Sequence, residues 1–308
     1  MELHGVHHIT AITGDAPANV RFYAGTLGLR MVKKTVNQDD PTVYHLFYAD
    51  EAGSPGADIT FFEYPGAHRG RAGVGMVHRV VFRVADSAAL DFWADRLVAE
   101  GTEARREGNS LLFEDPEGLG LELRAVDSPD KPLVAVSPDI PAEMAIQGFD
   151  EVRAFTRDPE RSKGFLEDVL GFEARGDDGW DVRGEKRGGQ YVYDSAQSLG
   201  TPGAGTVHHV AFASLMDDHE GWQQRVAEAG AHPTPVIDRF YFRSIYFREP
   251  SGVLFEIATI GPGFASDEPK ETLGEALSLP PAFEHLREQI EPRLTPISNP
   301  RKPAEVSG

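Results

Sequence analysis

The feature that most constrains this chain is an internal repetition. Four segments open on the same apolar, strand-like run: GVHHITAITGD at 5–15, MVHRVVFRVAD at 76–86, GFDEVRAFTRD at 148–158 and TVHHVAFASLMDD at 206–218. In three of them the run meets an acidic residue suited to cap a helix, and each is followed by a helix-like stretch. ANVRFYAGTLGL ends at Gly28 and RSKGFLEDVLGF at Gly171, while ALDFWADRLVAEG and WQQRVAEAG are also closed by glycine, the residue that most easily adopts the left-handed conformation past a helix end. Alternating apolar runs broken by Gly and Pro come next, such as VYHLFYADEAGSPGADITFFEYPG and FYFRSIYFREPSGVLFEIATIG. The pattern is βαβββ, four times over, and it predicts an α+β fold of repeated units.

Two units per domain give an N-terminal domain over 1–138 and a C-terminal domain over 139–262, with the polar, proline-bearing DSPDKPLVAVSPDIP (127–141) between them. The remaining 263–308 is expected to be a tail carrying one helix, PPAFEHLREQIEPRL, packed on the body, and a mobile proline-rich end. Composition narrows the chemistry. A formal net charge of −19 argues against a nucleic-acid partner. With no cysteine, any metal must be held by His, Asp or Glu. The start MELHGVHHIT lacks the basic and apolar regions of a signal peptide, and no apolar run reaches membrane-spanning length, so no membrane partner and a cytoplasmic location are expected.

Two of the repeats carry a histidine doublet, His7–His8 and His208–His209. Strand alternation puts His8, Thr10 and Ile12 on one face, and His209, Ala211 and Ala213 on another such face, where the small neighbours leave room for a ligand. The same alternation separates the two members of each doublet; only strand twist or a bulge would bring both into one pocket. Glu256 stands in the otherwise apolar VLFEIAT, where an unpartnered carboxylate is costly, so it needs either a metal or a nearby arginine. The other two repeats have Arg79 in place of His209 and Glu151 or a neighbour in place of His8. One site per chain is therefore expected, between the first and last units.

A βαβββ repeat with a histidine on its first strand and a glutamate on its last resembles the vicinal oxygen chelate superfamily, which includes glyoxalase I, extradiol dioxygenases and antibiotic-resistance proteins. GVHHITAITGD, VHHVAF, DRFYFRSIYFREPSGVLFEIAT and LGEALSLPPAFEHLREQIEP are, in order, similar to signatures of its ring-cleaving hydroquinone dioxygenases, the group of 2,6-dichlorohydroquinone 1,2-dioxygenase. The resemblance implies four units paired into two vicinal-oxygen-chelate domains, each a curved mixed sheet flanked by helices. It implies Fe(II), with Mn(II) as the other metal the set accepts, held by His8, His209 and Glu256 with three coordination positions left open. It further implies that His7, Thr10, His208, Arg239 and Tyr246 surround the metal to orient substrate or handle protons, and Phe240, Tyr241 and Phe242 are candidates for an aromatic wall. The implied partners are a small aromatic diol and O2, the implied reaction is oxygen insertion beside a ring hydroxyl, and a homo-oligomer is allowed. Two alternatives stay open here: a glyoxalase I-like lyase with Glu63 as a fourth ligand, and a non-catalytic binder of aromatic drugs.

Overall fold

A computed structural model describes residues 1–298, and there the repetition becomes four sets of four strands. The first unit contributes β1 (Val6–Thr13), β2 (Arg30–Asn37), β3 (Asp40–Ala49) and β4 (Asp58–Glu63), and the second β5 (Met76–Val84), β6 (Ala104–Glu107), β7 (Ser110–Glu114) and β8 (Gly120–Ala125). The third contributes β9 (Phe149–Thr156), β10 (Glu173–Ala174), β11 (Gly179–Arg183) and β12 (Gly188–Ser195), and the fourth β13 (Val207–Ser214), β14 (Ile237–Asp238), β15 (Arg243–Arg248) and β16 (Leu254–Thr259). Between the first two strands of the units lie helices α1 (Ala16–Val20), α2 (Ser87–Ala99), α3 (Glu160–Gly164) and α4 (His219–Glu228). The first and third continue as π-helical turns. Asp15 and Asp86 cap α1 and α2 by accepting from Ala18 N at 2.9 Å and Ala89 N at 3.0 Å. Gly28, Gly101, Gly171 and Gly230 all close their helices with φ between 66° and 84°.

The strands form two mixed eight-stranded sheets, ordered β14-β15-β16-β13-β1-β4-β3-β2 and β10-β11-β12-β9-β5-β8-β7-β6. In each unit the first strand pairs in parallel with the unit's own fourth strand. Its other edge pairs antiparallel with the first strand of another unit, β1 with β13 and β5 with β9, so one unit covers the edge the other leaves open. The first sheet thus joins the first and fourth units, the second joins the second and third, and the boundary at 138 separates repeats in sequence rather than sheets in space.

Alternation decides what each face does. Ile9, Val80, Val152 and Val210 occupy the same position in the four first strands and are fully buried in one shared core with Trp93 and Trp222 from α2 and α4. Burying each such side chain contributes roughly 1.5–3 kcal/mol. The opposite face of the first sheet carries a smaller cluster containing Phe47, Ala211, Tyr241, Phe242 and Ala258. The segments linking the first unit to the second and the third to the fourth pass so closely that a Cβ on Gly73 would lie 2.2 Å from Gly200 N. Only glycine fits that crossing.

The tail differs from the single helix its sequence predicts. It makes two turns, Pro281–Glu284 and Arg287–Ile290, because Leu286 leaves helical geometry at φ −101° and packs with Phe283 against the core, beside buried Ile290 and Leu294. Earlier in the tail, Asp267 and Glu268 meet the fully buried Lys33. The proline-rich end beyond residue 298 lies outside the described residues. Among the described residues, no helix is long and apolar enough to cross a membrane.

The connection at 127–141 is fastened down. Asp130 accepts from Arg83 and Arg183, each at 2.6 Å, and from Gly188 N at 3.1 Å. Burial alone would raise its pKa, but Arg183 and Arg83 outweigh that and hold it far below the usual carboxylate range. A depressed folded-state pKa gives stability that is complete above the unfolded value near 4 and is lost as pH falls toward the folded one. Asp130→Asn is therefore expected to cost about 3 kcal/mol at neutral pH by leaving Arg83 short of its partner. Urea midpoints between pH 6 and pH 2 should fall less in the variant than in the wild type.

Candidate metal centre

The site grows from the seam where β1 meets β13. One extra residue is inserted on each strand, His7 between Val6 and His8, and His208 between Val207 and His209, so both doublets sit at bulges. A bulge re-aims side chains that alternation would send apart. Within each doublet the rings now touch: His7 Nδ1 lies 2.9 Å from His8 Nδ1, and His208 Nδ1 lies 2.8 Å from His209 Nδ1.

The outer nitrogens converge on one carboxylate. His8 Nε2 and His209 Nε2 are 3.3 Å apart and lie 3.2 Å and 2.9 Å from Glu256 Oε2. All three residues are buried, and one ligand atom from each falls within 4.8 Å of the others. Glu256 Oε1 accepts from Ser244 Oγ at 2.5 Å, whereas Oε2 is buried without hydrogen-bond geometry to any donor. Burial would raise the Glu256 pKa, but the neighbouring His8 and His209 reverse this and keep the group ionised. Burial lowers His209, and it lowers His7 to about 3 with help from His8. Two imidazoles and a carboxylate with one unsatisfied oxygen form a donor set that a divalent ion fits, and the set suits Fe(II) and Mn(II) alike. His7 and His208, against the inner nitrogens, are placed to fix the tautomer and aim of a ligating imidazole.

The remaining expected residues gather around this triad. Thr10 pairs with His209 across the seam and its hydroxyl accepts from Thr60 at 2.8 Å. Tyr246 pairs with Glu256, and its ring centroid is 5.6 Å from that of His209. Burial and then Glu256 raise the Tyr246 pKa, so its phenol keeps its proton. The Arg239 guanidinium lies 5.4 Å from the Tyr246 ring and holds Asp39 at 3.1 and 2.9 Å. Tyr241 and Phe242 line the adjoining cavity, while Phe240 turns the chain at its lip with φ 70°, a strained value for an aromatic residue.

Glu63 is elsewhere. Thr60 pairs with Thr10 as Glu256 pairs with Ala211, so in the first unit the position equivalent to Glu256 is a threonine. Glu63 lies opposite Thr13 and accepts from Ala16 N at 3.2 Å, which removes it as a fourth ligand. The second sheet repeats the frame, with bulges at His78 and Asp150, but not the chemistry. There Glu122 and Glu151 are held by Arg79, Arg124 and Arg153 at 2.6–3.3 Å.

Sequence reasoning missed Ser244, Asp39 and His45. His45 carried a faint signal, as the polar residue between buried Tyr44 and Leu46 in an alternating strand. The others reach the site only through pairing partners distant in sequence.

The fold is one of paired βαβββ units, with a donor set that could hold a metal ion at the seam between the first and the fourth. The sequence pattern of the Glyoxalase/Bleomycin resistance protein/Dioxygenase superfamily matches residues 5–123 and 148–257, and the chain belongs to that superfamily. It is 42% identical to "Putative ring-cleaving dioxygenase MhqO" of Bacillus subtilis (strain 168), covering 95% of this chain and 96% of that one. It is 33% identical to the chlorohydroquinone/hydroquinone 1,2-dioxygenase of Sphingobium indicum, covering 94% and 95%. The crystal structure of a dioxygenase homologue from Bacillus subtilis superposes with a TM-score of 0.90 at 39% identity, over 97% of this chain and 98% of that one. Glyoxalase I from Zea mays, at 16% identity and a TM-score of 0.57 over 83% of this chain and 92% of that one, shares the fold.

Metal-free protein titrated with Mn(II) is expected to take up one equivalent per chain and to gain about 2.7 kcal/mol of unfolding free energy when free metal is a hundredfold above Kd. His209→Ala should abolish the gain, which denaturant melts will show. The cavity beside the triad is small, about 30 Å³, and Arg239 and Asp39 stand at its mouth. Asp39→Ala is expected to speed the association of aromatic ligands in stopped-flow fluorescence while changing stability by no more than about 0.5 kcal/mol, as for other exposed ion pairs.

Proposed function

We propose that this chain is an Fe(II)-dependent extradiol-type dioxygenase that opens the ring of hydroquinones, with Mn(II) as the alternative metal. The observation that carries the reading is the unsatisfied Glu256 Oε2 between the imidazoles of His8 and His209, which line a cavity walled by aromatic side chains. Names given to relatives supply the reaction class. In this reading the ion, when bound, supplies the redox path between the ring and O2 and the open positions at which both are held.

The chain's own residues supply the rest. Phe62 and Phe242 flank the triad at ring-contact distance and exclude water from the aromatic faces of a bound diol. His208, whose pKa is lowered by burial and by His209, lies behind His209 with its Nδ1 2.8 Å from that ring, and in this reading it acts through that ligand. Arg239 places a permanent positive charge beside the Tyr246 hydroxyl, where it steadies negative charge developing on oxygen. His7 and Thr10 act through the ligands they touch.

The test is anaerobic reconstitution with Fe(II) followed by oxygen-electrode measurements with hydroquinone, methylhydroquinone and catechol. Uptake with a hydroquinone that disappears in His209→Ala is the expected result. Full metal loading with no uptake on any diol would reject the reading.

A further inference from the structure

We propose that His45 recognises the hydroxyl at the far side of the substrate ring, and that it does so purely as a hydrogen-bond acceptor. The site would then select a diol that still carries its distal proton, and so a reduced hydroquinone over an analogue with no proton to give. The proposal rests on the dioxygenase reading for the statement that the other ring oxygen faces the triad.

His45 projects from β3 into the cavity that His8 and His209 bound on the other side. β3 is separated from β1 by β4, two strand spacings or roughly 10 Å, the width that an aromatic ring with an oxygen at each end can bridge. An ortho-diol, with both oxygens on one edge, leaves that far end unfilled. The imidazole is held between Phe47 and Phe62, with ring centroids 3.9 Å and 4.4 Å away, so its orientation is fixed before any ligand arrives.

A chain of hydroxyls sets its polarity. His45 Nε2 lies 2.8 Å from Thr60 Oγ1, and Thr60 in turn donates to Thr10 Oγ1 at 2.8 Å. A hydroxyl has one proton. Since that of Thr60 is given to Thr10, the contact with His45 must be made by the imidazole N–H, and the proton of neutral His45 resides on Nε2. Nδ1 is left as a lone pair with no hydrogen-bond partner among the described residues, on a ring that lines the cavity. An acceptor in a closed pocket rejects an analogue that has nothing to donate, because the lone pair is then desolvated without compensation. Thr60 is a positioning residue in this scheme, since it acts by fixing the tautomer.

The experiment is anaerobic binding to the Fe(II)-loaded full chain, read by tryptophan fluorescence, with hydroquinone, 4-fluorophenol and 4-methoxyphenol as probes. 4-Fluorophenol replaces the distal hydroxyl by a group of similar size with no proton. Wild type is expected to bind hydroquinone at least tenfold more tightly than 4-fluorophenol. In His45→Phe that ratio should fall to near one, with one metal per chain retained. Thr60→Val, which frees the tautomer so that Nδ1 can carry the proton, should bind 4-methoxyphenol more tightly than wild type does, a gain that loss of packing would not produce. If His45→Phe fails to hold metal, Thr60→Val carries the test. A wild-type ratio near one, a ratio unchanged in His45→Phe, or no gain in Thr60→Val overturns the proposal. Oxygen uptake with a ratio of one would overturn the role of His45 alone. A tenfold ratio without uptake would support His45 and reject the dioxygenase reading, and failure to bind any probe would overturn both.

Discussion

A carboxylate buried in the middle of a β-sheet with one oxygen unsatisfied is the constraint on which this molecule turns. Ionised Glu256 cannot stay in such a place unless positive charge is brought to it. The residues that meet its free oxygen are two imidazoles, and burial pushes that of His209 toward its neutral form. A neutral imidazole offers a lone pair rather than charge, so the cluster is better balanced with a cation than without one. The second sheet makes the point by contrast. At equivalent positions its carboxylates, Glu122 and Glu151, are neutralised by arginines from the same sheet. The same frame has been filled once with guanidinium groups and once left for an ion.

What turns the repeat into a site is the seam between units. Neither β1 nor β13 alone brings together two imidazoles; each gives one, and their antiparallel pairing sets the two Nε2 atoms 3.3 Å apart. The paired bulges then do what regular strands cannot, by putting a second histidine against the inner nitrogen of each first one. Since bulges also sit at His78 and Asp150 in the second sheet, the distortion belongs to the architecture and the chemistry to the residues placed on it.

That division explains what was legible in the sequence. The four units, their closing glycines and the buried position after each doublet follow from local periodicity, and they appear as expected. His8, His209 and Glu256 could be grouped because two repeats show the doublet, an otherwise apolar strand carries Glu256, and the chain resembles a family whose metal is held by such a set. Strand alternation by itself sent His7 and His208 away from their neighbours, and only the bulges bring them against the ligating rings. Sequence parity could not exclude Glu63, because its exclusion depends on the register of β4 against β1, which puts Thr60 in the decisive position. Asp39 was invisible for a similar reason, its partner Arg239 being 200 residues away. The tail helix was misread because helical spacing of Phe283, Leu286 and Ile290 persists even where contact with the core bends the chain out of helical geometry.

The tail also has a bearing on the pocket. Lys33 is fully buried on β2, and its charge is met by Asp267 and Glu268 of the tail, not by any residue of its own sheet. Asp267 also accepts from the Tyr241 hydroxyl at 2.9 Å and from Ser278 at 2.5 Å, and the Lys33 ammonium lies 4.7 Å from the Tyr241 ring. Tyr241 lines the cavity beside the triad. Removing the tail's carboxylates would leave a buried ammonium uncompensated and a wall residue without its anchor, so the tail is part of the pocket's construction. The rigidity of that wall, like the hydroxyl chain that orients His45, is imposed from outside the triad. Under the dioxygenase reading proposed above, a site that holds a flat ring in one orientation while a small molecule reacts at its edge needs such rigidity more than it needs further ligands.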